Sequence, residues 1–149
     1  MNIVSQIHTN IKSVASTVLG GTWHELRRVF DPEQNDSRTA ENAYGVRHGA
    51  ASSADGVMRY YTMDHSFTVV LSRRFVDRLS DAEIQTVIND LYNKADSILV
   101  EVFLKKLSLP TIVLIVDNPS IAEPRVLGNQ SVILELSFNV KYRNAVNGI

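Results

Sequence analysis

The sequence predicts an α+β fold in which a mainly antiparallel sheet packs against two amphipathic helices. Two stretches place apolar residues at helical spacing, several others alternate apolar and polar residues, and the order is helix, strands, helix, strand, strand. A chain of 149 residues is most simply one domain, residues 1–149, and is long enough to bury a core without disulfides or a metal.

The composition excludes several classes of protein. There is no cysteine, which removes disulfides, thiolate metal sites and cysteine nucleophiles. The formal net charge of −1 predicts no broad basic surface for binding DNA grooves. Polar residues interrupt the first twenty residues, so we expect neither a signal peptide nor a membrane span, and a protein that stays in the cytoplasm of the cell that makes it.

The first helix is predicted over residues 2–19. Ile3, Ile7 and Ile11 recur every four residues, and Gly20 and Gly21 end the helix. Residues 23–30 fit a helix and a strand about equally, and we favour a strand. Long loops are then predicted between residues 31 and 56: a surface loop over 31–43, a short strand over 44–48 and a second loop over 49–56. Such loops usually carry function or order on a partner.

Residues 57–71 alternate between apolar and polar side chains. They predict one long strand, or two strands of a hairpin bent near Met63, Asp64 and His65. Arg73 and Arg74 follow, and short basic pairs of this kind are more often solvated strand ends than contacts with nucleic acid.

The central helix, over residues 80–106, is the strongest prediction. Ser80 and Glu83 have the spacing of a capping box, in which each side chain bonds the other residue's backbone N–H. A continuous apolar stripe follows at helical spacing: Ile84, Val87, Ile88, Leu91, Ala95, Ile98 and Val102. Its last part, residues 98–104, is apolar almost all round. This surplus indicates burial by the first helix, a strand in place of a helix, or packing against a second subunit.

Two more strands complete the predicted sheet. Residues 111–116 are apolar on both faces, which favours a strand inside the sheet, ended by Asp117, Asn118 and Pro119. Residues 120–129 read as a loop with a short extended piece. Residues 132–143 alternate cleanly, so one face of this strand is buried and its polar face meets solvent or a lumen.

No catalytic motif is present. The four histidines, His8, His24, His48 and His65, lack the spacing of known metal-ligand or catalytic pairs, and we expect all four at the surface or in an interface. Gly20 and Gly21 stop a helix and lack the other positions of a phosphate loop. We therefore expect no catalytic residue, metal or cofactor, and a protein that is not an enzyme.

Several stretches, taken in order, resemble a known family: HSFTVVLSRRF, a helix containing LYNKAD, TIVLIVDNP and ILELSFNVKYRN. From about residue 2 to residue 144 the chain is similar to the tail terminator, or tail-completion, proteins of tailed bacteriophages. The resemblance implies a structural virion protein, with about six copies in a ring that caps the tail tube at the tail-neck junction. Its partners would be other copies and tail tube, sheath or neck (connector) proteins, with no membrane, and DNA would pass through the lumen without specific binding.

From the apolar surplus of the central helix we expect a subunit interface at Leu99, Phe103 and Leu104, and we add Arg73 and Arg74 to it. The resemblance implies that the loops over 31–43 and 49–56 touch neighbouring subunits or tail and neck proteins. It also implies a channel lined by the polar face of the last strand, with Glu135, Ser137, Asn139 and Lys141. One alternative is another head-tail joining (neck) protein. An alternative from a different class is a small enzyme or ligand-binding domain with a cleft formed by Arg59, Asp64 and His65.

Overall fold

A computed structural model describes residues 3–26, 29, 30, 32, 42–57, 60–105 and 113–145. They form α1 (Ile3–Leu19), β1 (His24–Glu25), β2 (Asn42–Val57), β3 (Tyr60–Arg74), α2 (Asp81–Lys105), β4 (Val113–Ile121), β5 (Arg125–Leu127) and β6 (Ser131–Ala145). The strand order in the sheet is β1-β2-β3-β6-β4, and β5 pairs with β6. All pairs are antiparallel except β1 with β2. The predicted α+β class is confirmed.

The two helices lie on one face of the sheet, and the main core lies between them and the strands. α1 contributes Ile7, Ile11 and Ala15, each fully buried. α2 contributes the predicted stripe, and the sheet contributes alternate residues of β3 and β6: Phe67, Val69, Leu71, Val132, Leu134, Leu136, Phe138 and Val140. The alternation of the last strand therefore predicts its buried side chains correctly.

Both helix ends that the sequence predicts are confirmed. Gly20 adopts a φ of 89°, and its N–H donates to the carbonyl of Ser16 at 3.0 Å, which ends α1 in the left-handed conformation that glycine favours. At the start of α2, the Glu83 N–H donates to Ser80 Oγ at 3.2 Å and the Ser80 N–H donates to Glu83 Oε1 at 3.1 Å. The backbone and hydroxyl hydrogen bonds of Ser80 lower the pKa of the Glu83 carboxyl.

The predicted loop over residues 49–56 is wrong, because β2 continues through it to Val57. The small and polar side chains there favour a loop on propensity, but pairing of the backbone with β3 overrides that preference. Bulges between His48 and Ala51 and between Ser53 and Asp55 accommodate the irregular pairing. Of the predicted loop over 31–43, Asn42 and Ala43 belong to β2, and residues 31 and 33–41 lie outside the described part of the chain.

β3 is one strand, so the alternative of a hairpin bent near Met63 is wrong. Among the described residues, the strand predicted over residues 23–30 is confirmed only at His24 and Glu25, and residues 27 and 28 lie outside the described part of the chain. β4 is also not inside the sheet. Among the described strands it forms an edge, and its Ile115 is 47% exposed. Residues 111 and 112 of the predicted strand lie outside the described part of the chain. β4 runs past Asn118 and Pro119 to Ile121 by a bulge in which Asn118 has a φ of 50°. The apolar run of this strand gave no sign that one side would stay uncovered.

Candidate assembly surfaces

The face of the sheet turned away from the helices is polar over much of its area, and we call its residues on β3, β6 and β4 the polar face. From β6 it carries the four residues predicted to line a channel, Glu135, Ser137, Asn139 and Lys141, all partly buried in the single chain. Thr68 on β3 lies opposite Ser137, and their hydroxyl oxygens are 2.9 Å apart. The predicted channel residues therefore share one surface.

Charges on the polar face are largely matched. Glu135 accepts hydrogen bonds from Arg47 on β2 at 2.7 Å and from Arg125 on β5 at 3.0 Å. Lys141 lies opposite Asp64 in the register of β3 with β6. Asp117 on β4 lies opposite Asn139, and one carboxylate oxygen each of Asp64 and Asp117 is buried without a hydrogen-bond partner. The charged residues on and beside this surface, three basic and three acidic, thus nearly balance.

One end of the polar face is covered by the segment that follows β1. Leu26, Ala43, Val70 and Ile133 form a second, small buried cluster there, with Val29 packed against it. Ile133 is the residue that breaks the alternation of the last strand, and its burial in this second cluster explains the break. Sequence reasoning missed this cluster because Ile133 and Leu26 are far apart in the chain.

The predicted interface residues on α2 differ in exposure. Leu99 packs against the main core, whereas Phe103 is 39% and Leu104 is 76% exposed. A groove of about 620 Å³ between the helices is lined by Val14 and Val18 of α1 and by Ser97, Val100 and Glu101 of α2. At about 100° per residue, Leu99 and Phe103 lie on the flank of α2 opposite that groove. They therefore face away from α1, towards β4, with which α2 is also in contact.

The two arginines predicted at the interface belong to the opposite end of the molecule. Arg73 bonds Asn42 Oδ1 at 3.0 Å and Asp90 Oδ2 at 3.4 Å, and its guanidinium lies 5.2 Å from the centre of the Phe75 ring. These contacts tie β3 to β2 and to α2. Arg74, the next residue on β3, is partly buried. A role in a subunit interface stays a prediction for both.

Three of the four histidines come together, which the sequence did not predict. His8 on α1 stacks on His48 of β2, with ring centres 4.6 Å apart, and His48 Nδ1 lies 3.4 Å from His65 Nε2 on β3. His65 is only 8% exposed, so its predicted place at the surface is wrong. The one signal in the sequence was that His65 falls on the apolar face of its strand.

The site of the enzyme alternative is not assembled. Asp64 and His65 are consecutive on β3 and project to opposite faces of the sheet, and Arg59 lies outside the described residues. In the described part of the chain, no three His, Asp or Glu side chains are grouped so that they could hold a metal ion. Neither described helix is long and apolar enough to cross a membrane.

Comparison with known proteins identifies no family. No protein-family model and no curated protein matches the chain. Among solved structures, the chain is similar to a chain of the virion of a native gene transfer agent particle, with 9% sequence identity, 95% of each chain covered and a TM-score of 0.44. A likeness of that size assigns no function.

Proposed function

We propose that this chain is a structural virion protein of a tailed phage that forms a closed ring at the tail-neck junction and caps the tail tube. The sequence resemblance to tail terminator proteins suggests this role. The observation that carries the ring is the position of the two open edge strands of the sheet, β2 and β4. They run in opposite directions, and the same rows of paired residues cross both of them. In this role the chain has no catalytic function and no cofactor.

The strand directions suit a head-to-tail arrangement of copies. β2, β3, β6 and β4 are antiparallel to their neighbours in turn, so β4 runs opposite to β2. If β4 of one copy lies beside β2 of the next, the new pair is again antiparallel. The sheet then continues from copy to copy with the same pattern that each long pair within the chain already has.

The two edges also lie at the same level. One row across the sheet, by successive pairing, consists of Ser52 on β2, Asp64 on β3, Lys141 on β6 and Ile115 on β4. If Ile115 pairs with Ser52, the residue at its own level on the next copy, the two copies are related by rotation with no net translation along the ring axis. Such a step closes into a ring, whereas a step with translation would give a filament.

Both edges are open to pairing within the described residues. β1 pairs only with Ala43 and Tyr44 of β2, and the path of the sheet ends at β4. Farther along β2, Ala50, Ala51 and Ser52 are small, uncharged and exposed. Edge strands that must stay single usually carry charges or proline, which this part of β2 lacks.

Six copies would give a ring wide enough to enclose a channel. Four long strands span about 19 Å at about 4.8 Å per strand, so six copies give a circumference of about 115 Å and a diameter of about 37 Å. The helices would lie outside and the polar face inside, which places Glu135, Ser137, Asn139 and Lys141 towards the channel. Barrels with fewer strands than these 24 already enclose an aqueous channel.

The flank of α2 adds an apolar part to the same lateral contact. Phe103, 39% exposed, faces away from α1 on the β4 side of the chain. Leu104 lies about 100° further round the helix, on the side of Val100 and Glu101, so its place in the contact stays a prediction. In the ring, this flank would meet the copy whose β2 pairs with β4. Of the apolar surplus at the end of α2, Ile98 and Val102 belong to the core of the single chain, and Phe103 would belong to the contact between subunits.

Cysteine cross-linking tests this arrangement. The chain has no cysteine, so the Ser52→Cys, Ile115→Cys double variant carries only the introduced pair. We expect oxidation to give a ladder of covalent oligomers that ends in one closed species, and a control with Ser52→Cys and Val126→Cys to give none. Absence of cross-links in the first variant, or dimers from Ser52→Cys alone, would contradict head-to-tail pairing.

A further inference from the structure

The three clustered histidines, His8, His48 and His65, join α1 to the hairpin formed by β2 and β3, and we call them the histidine cluster. His8 Nε2 donates to the carbonyl of Val46 at 2.8 Å and its ring stacks on His48 at an interplanar angle of 12°. The His65 ring stacks in turn on Phe67, with ring centres 4.6 Å apart. The cluster is thus a continuous contact from the helix to the core of the sheet.

The contact between His48 and His65 requires at least one neutral ring. One of the facing nitrogens, His48 Nδ1 and His65 Nε2, must carry a hydrogen and the other must accept it. The remaining ring nitrogen of His65, Nδ1, is buried and has no hydrogen-bond partner. If His65 carries its hydrogen on Nε2 and donates it to His48, the buried Nδ1 has a lone pair rather than an N–H. This is the arrangement that avoids a buried donor without an acceptor.

Adding a proton disrupts this arrangement whichever ring receives it. A charged His65 carries a hydrogen on Nδ1, where no acceptor is present. A charged His48 donates from Nδ1, which forces His65 to move its own hydrogen from Nε2 to the same buried Nδ1. A buried donor without a partner costs about 1–3 kcal/mol, so either proton favours separation of the rings.

We propose that the histidine cluster is an acid-sensitive latch, which holds α1 on the β2–β3 hairpin when its rings are neutral and releases it when they are protonated. No described carboxylate is placed to offset the added charge. On the elements around the cluster, Asp64 projects to the other face of the sheet, Arg47 there is paired with Glu135, and Lys12 on α1 is paired with Glu25. β6 presents Val140 opposite His65, and the Arg73–Asp90 pair lies at the far end of β3.

The pKa shifts of His48 and His65 also favour neutral rings in the folded chain. Burial of its ring, and then the nearby His8, lower the pKa of His48 below the ordinary value. Burial, and then His48, lower the pKa of His65. The unfolded chain therefore binds more protons than the folded one once the pH falls below about 6.5. The free energy of unfolding is highest above a pH of about 6.5, falls as the pH decreases through that value, and becomes constant below the pKa values of the folded chain.

Urea unfolding of the whole chain between pH 8 and pH 5.5 tests the latch. We expect the folding equilibrium constant of the wild type to fall by up to about tenfold per pH unit for each ring that must charge. His48→Gln, which cannot be protonated, should reduce this slope, whereas His24→Gln, a change at an exposed histidine outside the cluster, should leave it unchanged. Equal slopes for the wild type and His48→Gln would overturn the proposal.

Two further measurements use only the wild-type protein, so they do not require any variant to fold. Titration of the histidine rings by NMR should give midpoints for His48 and His65 below that of an exposed histidine. As the pH falls towards 5.5, protection from hydrogen exchange, taken relative to the intrinsic exchange rate at each pH, should decrease in α1 before it decreases in α2. Ordinary midpoints for both rings, or protection that decreases equally in both helices, would show that the cluster is not a latch.

Discussion

Arg47 on β2 reaches over β3 and binds both carboxylate oxygens of Glu135 on β6, at 2.7 and 3.3 Å. A second guanidinium, that of Arg125, donates to the same carboxylate at 3.0 Å. The Arg47 and Glu135 side chains are only 22% and 20% exposed, so the pair is partly shielded from water. Glu135 thus links three strands across the polar face, a role that its position in an alternating strand does not reveal.

Replacement of Glu135 should destabilise the single chain. In Glu135→Gln, two arginine side chains lose the charge that they bind, and we expect a loss of about 1–3 kcal/mol in the free energy of unfolding. Urea unfolding of a monomeric sample measures it. Glu123→Gln, at an exposed position on the preceding segment, is the matched control. If both variants unfold at the same urea concentration, the links from Glu135 do not stabilise the sheet.

Gly45 is required by the segment that covers one end of the polar face. A Cβ atom at this position would lie 2.6 Å from Val29 Cγ2 and 3.2 Å from Val29 Cβ. We expect Gly45→Ala to lower the free energy of unfolding by about 1–3 kcal/mol, as overpacking does elsewhere. At Gly21 an added Cβ meets nothing within 4 Å, so Gly21→Ala is the control.

A double-mutant cycle separates this clash from other effects. Val29→Ala removes the atom that the new methyl group would meet, so it should restore part of the stability that Gly45→Ala loses. Thermal or urea unfolding of the four proteins gives the interaction energy. Strictly additive losses would show that Val29 is not the obstacle at Gly45.

The exposed end of α2 should matter for assembly more than for folding. Phe103→Asp places a charge in the proposed lateral contact, and the side chain is already 39% exposed in the single chain. We expect the variant to remain folded and to lose its oligomer, as measured by analytical ultracentrifugation. Leu99→Asp should also weaken folding, because Leu99 packs against the core.

Val76→Asp controls for the addition of a charge at an exposed apolar residue. Val76 is 82% exposed and lies before α2, at the other end of the helix from Phe103. This variant should assemble as the wild type does. Loss of the oligomer in both variants, or in neither, would remove the reason for assigning the end of α2 to the subunit contact.

The sequence predicts the elements whose signals are local. The capping box at Ser80 and the glycine at the end of α1 act within a few residues, and the alternation in β6 reports which side chains the core takes. Features that depend on contacts between residues far apart in the chain are not predicted by local patterns. The loop predicted over 49–56 became a strand because β3 pairs with it, and β4 became an edge because no described strand follows it in the sheet.

The candidate surfaces also divide into one that a local pattern predicts and others that depend on residues far apart in the chain. The polar face was predicted from the alternation of β6, since that pattern fixes which residues share a side. The histidine cluster was not, because His8, His48 and His65 lie on three separate elements and meet only when α1 crosses β2. The link from Arg47 to Glu135 joins residues that are 88 positions apart in the chain, beyond any local pattern.

The mass of the native particle tests the proposed ring most directly. Mass photometry of the purified protein, with electron microscopy of the same sample, should give one closed species of about six chains of 16.6 kDa each and a central opening. Its mass should not grow with concentration, because a closed ring has no free edges. A chain that stays monomeric at high concentration, or that grows into open filaments, would contradict the ring.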